Sequence, residues 1–205
     1  MTDPSAAYSR SFFEMHVPWR AEYEAIADLL VARLTFLSVI DMGCGNGFII
    51  NRLAQLGKEV IGVDGSLHAI AAAPAELQPR LKAADLTQPL RLGHYDLVIC
   101  SEVAEHLEAR HAGMLLDNIC GNSAGSVFFT AATPGQGGFC HVNEQPHDYW
   151  IGMFAQRGFH LDAKSTSSLR CDLSQRIHTI WWFTKNAFIF RSPRSLGVAA
   201  PGPEK

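Results

Sequence analysis

Short apolar runs alternate with stretches of helical periodicity along most of the chain, and this alternation restricts the fold more than any single residue does. Tyr23, Ile26, Leu30 and Leu34 repeat at helical spacing and predict a helix over 19–35. Ser38 to Met42 is an apolar run that ends in glycines, as a buried strand does. Ile49, Leu53 and Leu56 share a helical face, with Gly57 as its stop. Val60 to Val63, Leu81 to Ala84, Leu97 to Cys100 and Val127 to Ala131 read as further strands. Leu67 to Ala73 reads as a short helix broken by Pro74. Ala104, Leu107, Leu115 and Ile119 predict one helix ending near Gly121, and Trp150 to Arg157 another before Gly158. Leu161 onward and Thr179 to Phe190 are expected as closing strands. This order means βαβ units and a mostly parallel sheet buried on both faces. Ligands of such sheets bind beyond the carboxyl ends of the strands, so useful residues should follow each strand.

The 205 residues, 47% apolar and 18% charged, suit a single domain with its own core. We expect it over 11–191, with a helical cap at 11–35, a flexible start at 1–10 and a flexible Pro- and Gly-bearing tail at 192–205. No apolar run is long enough for a membrane span, and residues 1–10 lack the pattern of a signal peptide. Cys44, Cys100, Cys120, Cys140 and Cys171 are odd in number and widely spaced, without a Cys-x-x-Cys pair. Reduced, mostly buried thiols and a cytoplasmic location are the expectation. A net charge of −3 argues against nucleic acid as a partner. Oligomeric state is not legible.

The densest signal is Val39-Ile40-Asp41-Met42-Gly43-Cys44-Gly45-Asn46-Gly47. Glycines here let the backbone approach a ligand, and the helix that follows offers free N–H groups to the same space. Asp41 would repel a pyrophosphate but attract an ammonium or sulfonium group. The spacing is Gly-x-Gly-x-Gly, whereas a dinucleotide loop needs Gly-x-Gly-x-x-Gly, and position 48 is Phe. Asp64 closes the second strand, where a carboxylate can accept both ribose hydroxyls. An NAD-binding oxidoreductase is thus a disfavoured alternative.

Together with Asp64 after Val-Ile-Gly-Val, the segment Ala84-Asp85-Leu86, and Tyr95-Asp96-Leu97-Val98 before Ser101-Glu102-Val103, the loop resembles the class I S-adenosylmethionine-dependent methyltransferases over roughly residues 36 to 190. The resemblance implies a three-layer Rossmann-like α/β sandwich, with a mostly parallel seven-stranded sheet and an antiparallel last strand. It implies that Asp41, Gly43, Cys44, Gly45 and Gly47 hold the methionine end of the cofactor, Asp64 and Gly65 the ribose, and Asp85 and Leu86 the adenine. Ser101 completes this cofactor set. Asp96, at the other end of its strand, is expected to be structural.

An oxygen nucleophile needs its proton removed or its charge stabilised. Glu102, Glu105 and His106 share one face if a helix begins by Glu102. The run Thr133 to Trp150 is glycine-rich and then polar, resembling a loop of small bacterial methyltransferases with a His-x-Asn-x-Gln-Pro pattern. There His141, Asn143 and Gln145 could contact substrate, or Asn143 or Glu144 could cap the next helix. Catalysis is assigned to His106, His141 and Glu102. Glu102, Glu105, His106 and His141 also resemble the divalent-metal set of small-RNA 3′-end 2′-O-methyltransferases, which makes a metal and an RNA acceptor the secondary reading. Phe12, Phe13, His16 and Trp19 are candidates for a pocket wall. The reading taken forward is methyl transfer to an oxygen or nitrogen of a small molecule.

Overall fold

The computed structural model describes residues 8–193. The parts of the expected flexible ends at 1–7 and 194–205 lie outside the described residues. Helices α1 (Arg10–Glu14) and α2 (Arg20–Arg33) precede β1 (Ser38–Met42), α3 (Phe48–Gln55), β2 (Glu59–Asp64), α4 (Leu67–Ala72), β3 (Leu81–Ala83) and β4 (Tyr95–Ser101). Then come α5 (Ala112–Gly121), β5 (Ser123–Thr130), α6 (His147–Ala155), β6 (His160–Leu161), α7 (Ala163–Arg176), α8 (Trp182–Asn186) and β7 (Phe188–Arg191). The strands form one seven-stranded sheet in the order β3-β2-β1-β4-β5-β7-β6. All pairs are parallel except those of β7, which runs against both β5 and β6. This is the three-layer arrangement the sequence predicts.

Alternation along each strand sends side chains to two separate cores. Val39, Leu97, Ile99 and Phe128 pack on α2, α3 and α7 through Ile26, Leu30, Ile50, Leu53 and Leu173. Ile40, Val98, Val127 and Phe129 pack on α5 and α6 through Leu115, Leu116, Trp150 and Phe154. A sheet covered on both faces in this way reads as continuous apolar runs. Asp96 accepts the Leu37 and Ser38 amides at 2.9 and 3.0 Å, which holds its carboxyl below the usual range. It joins β1 to β4 at the end remote from the glycine loop, although it lies inside β4 rather than before it.

Four expectations need correction. The helix predicted from Ala104 is α5 alone, and before it lie two short 3-10 turns, Ala104–His106 and Ala109–His111. Leu161 onward is mostly helix: after a two-residue strand, the Asp162 side chain accepts the Ser165 amide and starts α7. Thr179 to Phe190 contains α8, whose Phe183 is buried in the α2 side of the core, before β7 begins. The ends also shift: Arg10 already belongs to α1, and Ser192 is docked through its amide to Gly125 O and its hydroxyl to Ala124 O. Among the described residues, no helix is long and apolar enough to cross a membrane. The five cysteines are free thiols.

Candidate active site

The parallel strands β1, β2 and β4 deliver their last residues to one rim. Asp41 stands near the end of β1 with 2% exposure. Burial, reinforced by the charge of Asp64, pushes its carboxyl up to about 8. Its Oδ1 has no hydrogen-bond partner among the described residues. Beyond it the chain turns at Gly43, whose φ is +84° and whose Cα faces Val103 so closely that a Cβ would collide with the valine methyl. The Gly43 and Cys44 amides both donate to Val63 O, at 2.7 and 3.0 Å, which fixes the loop to the end of β2. Asp64 then binds back: Oδ2 accepts the Gly45 amide and Oδ1 the Ser66 amide, each at 2.8 Å. Burial raises the Asp64 carboxyl, against the opposing effect of these two donors.

A cleft opens between this loop, α1, α2 and the end of β4. Asp41, Gly43, Cys44, Gly45, Ser101 and Glu102 line it, and Phe12, Phe13 and His16 form the facing wall. Trp19 is not part of that wall; it packs on Trp182. The enclosed space is about 100 Å³, below the ~300–1,000 Å³ of ordinary ligand sites. The Asn46 amide donates to Phe13 O at 3.2 Å and so ties α1 down. The Phe13 ring is the nearest neighbour of Gly45 across the cleft.

Asp64 and the remaining cofactor candidates do not line this cleft. Gly47, with φ +71°, precedes α3 and packs under Leu77. Gly65 faces Ala84 O across the β2–β3 edge. Asp85 is exposed and accepts from the Thr87 amide and hydroxyl, and Leu86 is a core residue. Tyr23, Asn46 and Phe183 also line the cleft, and sequence reasoning did not single them out. Asn46 was visible inside the glycine loop. Tyr23 and Phe183 reach the site only through packing of α2 on α8, at a ring separation of 5.8 Å.

Glu102 adjoins this cleft in an unusual conformation. Its φ is +54°, and its amide donates to Thr130 O and Oγ1 at 3.1 and 2.9 Å. A non-glycine residue held in that region is strained and is common at functional sites. This turn replaces the helix expected here, yet Glu102, Glu105 and His106 still cluster. Glu105 is fully buried; one oxygen accepts the Ala132 amide at 3.2 Å. Burial raises both carboxyls, and the proximity of Glu102 raises Glu105 further. Burial, helped by His141, pushes His106 down to about 4. Glu102 and Glu105 face each other carboxyl to carboxyl, and His106 Nδ1 has no hydrogen-bond partner among the described residues. One ligand atom each of Glu105, His106 and His141 lies within 4.8 Å of the others, and the two imidazoles meet edge to face at 4.9 Å.

His141 arrives on the loop after β5, which Val142 and Asn143 fasten by donating their amides to Glu105 O at 2.8 and 3.0 Å. Phe139 of this loop packs on Phe12 and Tyr8 and so closes the loop against α1. Asn143 and Gln145 are engaged internally rather than free for substrate: Asn143 Nδ2 donates to Ala104 O and Gln145 Nε2 to Asn143 Oδ1. Neither Asn143 nor Glu144 caps α6, whose first turn follows Pro146 without a side-chain cap. Glu144 instead accepts the Gly135 and Gly137 amides and lies 2.9 Å from His141 Nδ1.

The methyltransferase-domain family profile matches residues 40–116, from the glycine loop through the Glu102–His106 turn. The ubiquinone biosynthesis O-methyltransferase of Leptothrix cholodnii is 33% identical over 85 residues, covering 38% of this chain and 36% of that protein. The counterpart from Burkholderia pseudomallei is 27% identical over 126 residues, with 52% and 54% covered. The chain thus spans a third to about half the length of these curated relatives. Magnesium protoporphyrin IX methyltransferase from Synechocystis, solved with bound SAH, superposes with a TM-score of 0.62 at 21% identity, covering 85% of this chain and 83% of that one. Residues 40–116 thus match a methyltransferase domain, and the strand order is that of the Rossmann-like methyltransferase fold seen in the Synechocystis structure.

Proposed function

We propose that this protein transfers a methyl group from S-adenosylmethionine to an oxygen or nitrogen of a small-molecule acceptor. The observation that carries the reading is the buried, unpartnered Asp41 carboxylate beside the Gly43–Gly45 turn, which suits a cationic amino-acid group and opposes a diphosphate. The bound nucleoside supplies the methyl group together with its own leaving group. Asp41 and the loop amides would hold its methionine end, with Ser101 beside them at the end of β4. Asp64 would meet the ribose, exchanging or sharing its amide donors. Placing donor and acceptor in line within a cleft that α1 shuts from water supplies most of the catalysis, since alignment alone lowers such barriers by ~7–11 kcal/mol.

The acceptor side is assigned to Glu102, which lines the cleft, with His106 and His141 outside its lining. His106, neutral around pH 7, can accept the acceptor proton at Nδ1, and Glu102 and Glu105 can share it onward. Glu105, His106 and His141, which bring one ligand atom each within 4.8 Å of the others, offer the carboxylate and imidazole donors that a divalent cation uses, with Glu102 beside them rather than in that group. A cation held there would lower the pKa of an acceptor hydroxyl. The Leptothrix and Burkholderia relatives and the Synechocystis enzyme are, by their names, methyltransferases of ubiquinone biosynthesis and of magnesium protoporphyrin IX, which supports a small organic acceptor here. With a net charge of −3, an RNA end is disfavoured. The free thiols suit a reducing, cytoplasmic setting.

Calorimetry with S-adenosylhomocysteine tests the cofactor half: micromolar binding that Asp64→Ala abolishes is expected, and an indifferent protein refutes it. A panel of phenolic, catecholic and amine acceptors, run with and without chelator, tests the chemistry. His106→Ala and His141→Ala should keep cofactor binding and lose turnover; unchanged turnover in both removes the catalytic assignment.

A further inference from the structure

We propose that Glu144 is a positioning residue: its carboxylate fixes His141 in the Nδ1–H tautomer and so keeps Nε2 bare for the cluster with Glu105 and His106. The inference rests on the reading of His141 as a site residue. The loop that carries His141 has no regular structure between β5 and α6, and Gly135, Gly137 and Gly138 all take positive φ. Such a segment should be the least reliable place in the fold to mount a catalytic side chain. It is organised around Glu144: Oε2 accepts the Gly135 amide at 2.8 Å, Oε1 accepts the Gly137 amide at 2.7 Å, and Oε1 also meets His141 Nδ1 at 2.9 Å.

The donor count settles the proton. An ionised carboxylate only accepts, and both glycine contacts are N–H donors that favour the ionised form. The nitrogen facing it must therefore donate, and in a neutral imidazole the other nitrogen then has no hydrogen. The ring is also gripped from its far side. Gly138 packs against Nε2 and Cε1 so closely that any Cβ there would overlap them. A carboxylate behind an imidazole raises the basicity of the opposite nitrogen, whether that nitrogen takes a proton or a cation. Glu144 thus couples the shape of the loop to the orientation and tautomer of His141.

Long-range ¹H–¹⁵N correlation on the ¹⁵N-histidine-labelled full chain reads the tautomer directly, without substrate or metal. The wild type should show His141 protonated at Nδ1. Glu144→Ala should lose that form, whereas Glu144→Gln, whose carbonyl can still accept, should retain it. Acceptor turnover in Glu144→Ala should fall about 10–100-fold with S-adenosylhomocysteine affinity unchanged. Wild-type His141 protonated at Nε2 overturns the proposal, and so does an Nδ1–H tautomer that survives Glu144→Ala. If the alanine variant does not fold, the wild-type spectrum decides alone. Failure to bind S-adenosylhomocysteine would refute the methyltransferase reading and leave the tautomer result to stand by itself.

Discussion

Cofactor binding should expel a proton from Asp41. With its carboxyl pushed up to about 8, Asp41 is roughly nine-tenths protonated at pH 7 in the ligand-free protein. A ligand ammonium placed against it in a buried site requires the ionised form, because an unpaired cation there would be far costlier. Binding at pH 7 should therefore release about 0.9 proton per ligand, and affinity should tighten almost tenfold from pH 6 to pH 7. The ligand's own α-amino group is mostly protonated over this range and adds little. His16, across the cleft, is lowered by burial, and it too remains in Asp41→Asn. Asp64 is also raised, but it remains in Asp41→Asn and so is separated by the variant. Titration calorimetry of S-adenosylhomocysteine in buffers of different ionisation enthalpy counts the protons. Zero release, or the same release from Asp41→Asn, would refute the reasoning.

The same group makes the ligand-free fold more stable in acid. Its folded pKa lies above its unfolded one, so the folded state holds the extra proton and stability falls as pH rises from about 4 to about 8. The penalty is about 4 kcal/mol at pH 7, and Asp41→Asn should raise the unfolding midpoint there while weakening cofactor binding; thermal melts across pH check both. Gly43→Ala combines a positive φ with the Val103 collision and should cost about 2–5 kcal/mol, part of which Val103→Ala restores; urea unfolding of the double-mutant cycle measures it. Asp64→Ala leaves the Gly45 and Ser66 amides without acceptors and should lose about 2–4 kcal/mol in addition to cofactor affinity, read by the same unfolding assay. Phe139→Ala removes the ring contacts with Phe12 and Tyr8, worth about 0.5–1.5 kcal/mol each, and should speed amide exchange across 135–142.

The glycine loop and its acids were legible because they are consecutive in the chain: β1 ends, the backbone turns, and Asp41 has nowhere to go but the rim. The mostly parallel sheet follows from the alternation of elements, whereas its seven strands and antiparallel β7 are what the family resemblance implies. Helix α7 was hidden because its sequence is largely polar and only Thr166, Leu169 and Leu173 are buried, so periodicity is faint; its clearest mark is the Asp162–Ser165 cap. α8 was hidden for the opposite reason. Ile180 to Phe183 looks like a strand by composition, but its rings wedge between α2 and α7, where Trp182 meets Trp19 and Phe183 meets Tyr23. The cluster at Glu102, Glu105 and His106 was found through helical spacing, although the backbone there is a strained turn. Asn143 or Glu144 just before a helix suggests a cap, whereas the bonds of Glu144 run backwards in the chain, to glycines seven and nine residues earlier.

The sheet is broad in the middle and ends in stubs. Three residues of β3 form one margin and two residues of β6 the other. Margins that brief give an incoming strand little to zip onto, which protects a seven-stranded sheet from lateral polymerisation. Any pairing between copies of this chain has to be made by helices or by the loop rim, where it would meet the cleft.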